Sequence, residues 1–179
     1  IRATCRMTGF AKGTVLKFLV ELGAACEKYQ RATLRNLALA DLQLDEIWSF
    51  VGKKQKKVTD AEKELNLAVG DAYTFTALDR NTKLVPTWLV GKRDHANTCA
   101  FVADLRDRLV PGCRPQIDTD AFDSYPDAVE RAFGADLEGH VQITKDYGEV
   151  DAGRGRYSPA RVKAMKKVVL SGKPDVSKA

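Results

Sequence analysis

The chain is poor in the residues that make small metal-stapled or disulfide-stapled domains. It has four cysteines, Cys5, Cys26, Cys99 and Cys113, and none forms a Cys-x-x-Cys pair. The only histidines are His95 and His140. A zinc site with ordinary ligand spacing is therefore not expected within these residues, and reduced structural cysteines are. Long apolar runs are lacking as well. None approaches the roughly 20 residues that cross a bilayer. Residues 1–22 alternate basic and apolar positions in helical fashion, unlike a signal peptide. The expectation is a cytoplasmic protein that does not enter membranes. The chain opens on Ile1 rather than Met and closes on the polar GKPDVSKA, so both ends read as cut.

What is present is a globular composition in 179 residues, 44% hydrophobic and 30% charged, with a net charge of +5 and a pI near 9.0. That balance permits nucleic-acid binding without establishing it. The cations are bunched. Lys53, Lys54, Lys56 and Lys57 form one run. Arg154, Arg156, Arg161, Lys163, Lys166 and Lys167 form another.

Residues 1–29 read as helix, turn, helix. A short helix-compatible stretch ends at Thr8-Gly9, and Thr14 can cap a second helix that carries Val15, Leu16, Leu19, Leu22 and Cys26 on one face. Cys5, Gly9 and Val15 have the spacing of a DNA-binding helix-turn-helix. In that motif a small residue packs between the helices and a glycine supplies the positive φ of the turn. Residues 30–41 read as a connector.

From residue 42 the period changes to that of strands. Leu42 to Val51 forms the first, with Asp45, Ile47 and Val51 on one face and Leu44, Trp48 and Phe50 on the other. Residues 52–70 read as a charged excursion. Residues 72–78 and 84–90 form a hairpin about a turn at 79–82. Pro86, which cannot donate a ladder hydrogen bond, puts the third strand at a sheet edge. A helix over 96–110 follows, then a strand over 115–119. A second helix covers 124–133, with Pro126 in its first turn and Gly134 at its end. A fifth strand covers 140–144. Residues 146–160 read as loop, and 161–170 as a basic helix or strand. The order β-β-β-α-β-α-β makes this an α/β chain of ribonuclease-H-like type spanning 42–179, preceded by the small helical segment.

Two acids stand out. Asp45 lies within the first strand, and Asp120 at the end of the fourth. In a ribonuclease-H-like sheet these strands are neighbours, so acids 75 positions apart would meet. Their repulsion calls for a cation, and hard oxygen ligands suit Mg²⁺ or Mn²⁺. By spacing alone Asp118, Asp123 and Glu46 are alternatives, and any of these acids can instead cap a turn. Trp48 reads as core packing, and His95 and His140 as surface or structural residues.

Three segments, IRATCRMTGFAKGTVLKFL, LDEIWSFVGKKQKK and DTDAFDSYPDAVERAFG, resemble the DDE transposases of the bacterial insertion-sequence-one family and its close relatives. The likeness covers nearly the whole chain, with Thr-Asp-Ala where the family usually has Thr-Asp-Gly. It implies Asp45 and Asp120 as the first two catalytic acids and metal-dependent cleavage and joining of DNA strands. It implies terminal inverted repeats and target DNA as partners, bound by a multimer on paired ends. Lys12, Thr14 and Lys17 would touch the repeats, and Lys53, Lys54, Lys56 and Lys57 the phosphates. The family's third acid, a helical glutamate in a motif like Tyr-Val-Glu-Arg, is not found. Glu149 and Asp151 lie in a glycine-bearing stretch without helical period. The resemblance places the motif beyond Ala179, so the chain is expected to be an incomplete enzyme. The alternatives are a non-catalytic helix-turn-helix DNA-binding protein derived from a decayed transposase, and a stand-alone nuclease of the same fold.

Overall fold

The computed structural model describes residues 1–65, 68–148 and 162–179. The expected loop positions Glu149 and Asp151 lie outside the described residues, as do Arg154, Arg156 and Arg161 of the second basic run. The chain divides into two compact units, Ile1–Asn36 and Leu37–Ala179.

In the first unit, α1 (Arg2–Thr8) ends at Gly9, whose φ of 73° lets its amide N–H donate to the Cys5 carbonyl. That is the turn expected of the glycine. The second helix departs from expectation. Helix α2 runs from Lys12 to Thr33, with Ala11 at its N-cap. Thr14 therefore sits inside the first turn rather than capping it, and the helix continues through the first third of the expected connector. Neither helix buries a residue fully. Leu19 and Leu22 of the expected apolar face remain exposed, while Cys5 and Val15 are half-buried.

The second unit is a six-stranded mixed sheet in the order β3-β2-β1-β4-β5-β6. Its strands are β1 (Asp41–Val51), β2 (Gly70–Asp79), β3 (Trp88–Gly91), β4 (Gln116–Thr119), β5 (Gly139–Tyr147) and β6 (Val162–Gly172). The β1–β2 and β2–β3 pairs are antiparallel, and β4 lies parallel to both β1 and β5. The excursion between β1 and β2 contains a 3₁₀ turn (Gln55–Lys57) and a short helix, α3 (Asp60–Glu64). A Thr59/Glu62 capping box starts α3.

Strand β3 is shorter than expected, because Pro86 lies before it. The chain still follows β2 there, since Ala77 N–H donates to the Thr87 carbonyl and Asp79 N–H to that of Leu84. Proline removes a donor, so regular pairing starts only at Trp88, and β3 forms one edge of the sheet as expected. The other edge is β6, where the sequence left helix and strand open; it pairs antiparallel with β5.

Period-two alternation decides which face is covered. Leu42 and Leu44 of β1, Phe75 and Ala77 of β2, and Ile117 of β4 all point into one core. Helix α4 (His95–Arg108) meets them with Phe101, Val102 and Leu105. Helix α5 (Tyr125–Phe133) adds Tyr125, Ala128, Val129 and Phe133. Each large apolar side chain buried there contributes about 1.5–3 kcal/mol. The opposite face carries Gln43, Asp45, Thr76 and Asp118 along an open cleft of about 650 Å³. Among the described residues no helix is long and apolar enough to cross a membrane.

Candidate functional site

Strands β1 and β4 pair in parallel with Leu44 opposite Thr119. The next residue on each strand is an acid, so the register itself delivers Asp45 and Asp120 to one place. Parallel strands need a long crossover, which explains why acids 75 positions apart become neighbours. Glu46, which the sequence offered only as an alternative, joins them. One carboxylate oxygen from each of Asp45, Glu46 and Asp120 lies within 4.8 Å of the others. Asp123, the other nearby alternative, is not in this group.

The three acids sit in different surroundings. Asp45 is exposed on the open face, and its Oδ1 accepts from the Glu46 N–H at 2.8 Å. Asp120 is partly exposed; its Oδ1 accepts from Phe122 N–H at 2.9 Å, which fixes the turn into α5. Glu46 alternates onto the covered face, where its side chain is only 3% exposed. Burial raises its pKa and the negative charge of Asp120 adds to that, while Tyr125 and Arg93 pull the other way.

Arg93, just after β3, ties two of the acids together. Its Nε donates to Glu46 Oε2 at 3.1 Å and its Nη2 to Asp120 Oδ2 at 2.8 Å. Its guanidinium lies 4.1 Å from the centroid of the Phe122 ring. Glu46 Oε1 and the Tyr125 hydroxyl are both buried and lack an ordinary hydrogen bond, but they face each other closely enough for the phenol to lower the Glu46 pKa. Burial, followed by Glu46, holds the Tyr125 phenol well above its usual range. Three clustered carboxylates form an oxygen donor set of the kind a hard divalent cation takes.

Asp118 is not part of this group. Its Oδ2 takes a 2.7 Å ion pair from Arg80 and its Oδ1 a hydrogen bond from Gln116. His140 is buried, with Nε2 2.9 Å from Thr119 Oγ1, and burial lowers its pKa to about 4. His95 is half-exposed and groups with Cys99 and Asp127, although Asp127 already pairs with Arg131 at 2.6 Å. Trp48 corrects the core expectation. It is 44% exposed, on the β1 segment that runs beyond α5, with Lys54 Nζ 5.1 Å from its ring centroid.

The basic run is partly occupied. Lys53 pairs with Glu62 at 2.6 Å, whereas Lys56 and Lys57 are exposed in the 3₁₀ turn. Lys12, Thr14 and Lys17 are exposed along α2, and Lys17 faces Glu21 at 3.7 Å. The sequence pattern did not reveal Arg93. Glu46 had a readable signal: a carboxylate placed in phase with Leu42 and Leu44 must find a partner.

No protein-family model matches the chain, and no curated protein matches it significantly.

Proposed function

We propose that this chain is the catalytic part of a DDE-type DNA transposase that cleaves and joins strands with Mg²⁺ or Mn²⁺. The observation that carries this reading is the parallel β1–β4 register, which sets Asp45 beside Asp120 at the open end of the sheet. The strand order supports it, since β3-β2-β1-β4-β5 with two antiparallel pairs and two parallel ones is the order of a ribonuclease-H-like sheet. The separate helical unit, with its glycine turn, supports a helix-turn-helix that recognises terminal inverted repeats.

In this reading Asp45 and Asp120 hold the cation, and Glu46 sets the charge behind them. Bound there, a divalent ion supplies activation of a water or 3′-hydroxyl and stabilisation of the leaving oxygen. The open cleft beside the acids, lined by Gln43, Thr76 and Lys145, would admit a phosphodiester. Lys56 and Lys57 would bind flanking phosphates.

The test is cleavage and strand transfer on inverted-repeat DNA with Mg²⁺, using this chain alone and in longer versions. Cleavage followed by end joining, lost in Asp45→Ala and Asp120→Ala, supports a transposase. Cleavage without joining identifies a nuclease. Binding to the repeats with no metal-dependent cleavage in any version identifies a DNA-binding protein that retains only the fold. Cleavage that survives both substitutions overturns the site.

A further inference from the structure

At the end of β1 and β4 two of the three clustered carboxylates, Glu46 and Asp120, meet one cation, Arg93. Arg93 reaches Glu46 and Asp120 with two different nitrogens. Such a two-nitrogen contact suits a planar fork better than a lysine ammonium, a single point on a flexible stem. The backbone on both sides of Arg93 is pinned. Asp94 caps α4 by accepting from Asn97 N–H at 2.9 Å, and Asn97 Nδ2 donates to the Lys92 carbonyl at 3.1 Å. Phe122 supports the guanidinium face and is itself packed edge-on against Tyr125, with ring centroids 6.0 Å apart at 87°. Glu46, at 3% exposure, has little water to lean on and relies on Arg93 for charge balance.

Resting on the reading of Asp45 and Asp120 as cation ligands, we propose that Arg93 is the built-in counter-cation of the acid cluster. Its charge, paired with Glu46 and Asp120, moderates the site's affinity for a divalent ion. A residue that only props up the fold would, on removal, loosen the acids and weaken metal binding. A counter-cation has the opposite signature. Removing one positive charge a few ångströms from three negative ones makes the site bind a cation more tightly.

The experiment is Mn²⁺ titration of the full chain, read by the paramagnetic resonance of free Mn²⁺, with circular dichroism to verify folding. Arg93→Gln is expected to bind Mn²⁺ about tenfold more tightly than the unaltered chain. Arg93→Lys, which keeps the charge and loses the fork, is expected to stay within about threefold. Affinity in folded Arg93→Gln that is unchanged or weaker overturns the proposal. Should that variant not fold, the Arg93 Nε–H resonance of the unaltered chain decides, assigned by its loss in Arg93→Lys. It is expected to shift on addition of Mg²⁺, and a resonance indifferent to saturating Mg²⁺ overturns the proposal. If the unaltered chain binds Mn²⁺ no better than Asp45→Asn/Asp120→Asn, the cation reading itself fails and the role of Arg93 falls with it.

Discussion

Strands β1 and β4 carry two groups of acids, and the groups solve the same electrostatic problem differently. Near the start of β1, Asp41 and Asp118 are matched acid for base. Asp41 takes Asn81 at 3.0 Å and Lys178 at 3.4 Å, and Asp118 takes Arg80 at 2.7 Å and Gln116 at 3.1 Å. Every carboxylate oxygen has a donor, and two negative charges face two positive ones. A few residues on, Glu46 and Asp120 share the single cation Arg93, while Asp45 beside them accepts from the Glu46 N–H. Neighbouring groups of acids thus differ in charge balance: the first pairs two acids with two cations, and the second sets three acids around one.

Substitution at the unbalanced group is expected to have the largest effect. If the excess charge serves catalysis, Asp45→Ala or Asp120→Ala should lower strand cleavage by about a thousandfold or more, with the melting temperature of Asp45→Ala held or raised. Equal losses of activity and stability would erase the contrast between the groups.

His140 extends the comparison to a buried base beside Thr119, on the strand next to β4. Its pKa is lowered to about 4 by burial, against an ordinary value near 6.5. The unfolded chain therefore binds the proton more readily between those values, so stability falls as pH drops from 6.5 toward 4. The loss approaches roughly 3 kcal/mol by pH 4. Urea unfolding of the unaltered chain and of His140→Gln across that range should give curves whose difference has this sign; parallel curves would contradict it.

At the balanced group, Asp118→Ala strands the Arg80 guanidinium. Because Arg80 is 23% exposed, a cost of about 2 kcal/mol is expected rather than the full penalty of a dry pair. Mn²⁺ affinity should change by no more than about threefold, measured on the same protein. A larger change in metal binding would merge the two groups into one. The smallest effect belongs to the surface. Lys56→Ala/Lys57→Ala should reduce the slope of log affinity for DNA against log salt by about 1–2, in a fluorescence titration.

Much of the sheet was readable because it obeys period two. Leu42, Leu44, Phe75, Ala77 and Ile117 announce a covered face, and Asp45 falls on the other. The five-strand order followed from that, and the missing donor of Pro86 put the third strand at an edge. The misses have physical causes. Helix α2 outruns its apolar stripe because Glu27 and Arg31, four residues apart and 3.0 Å from each other, belong to a polar last stretch. Strand β6 was ambiguous because lysines at 163, 166 and 167 interrupt its apolar residues in no regular period. Arg93 was unreadable because its partners lie 47 and 27 positions away, and only the packing of β3 and α4 brings them near. The proposed catalytic pair was legible for the opposite reason: neighbouring strands in a guessed topology make distant acids adjacent.

The parallel register of β1 and β4 also has a kinetic side. Leu44 and Thr119 meet only after 75 positions of chain have looped back, so no local fragment can gather these acids. The hairpin β1–β2 and the helical unit draw on residues near in sequence, whereas Asp120 reaches Asp45 and Glu46 only through non-local pairing. If the acids take a divalent ion, as proposed, a partly folded chain lacks that site until β1 and β4 have paired.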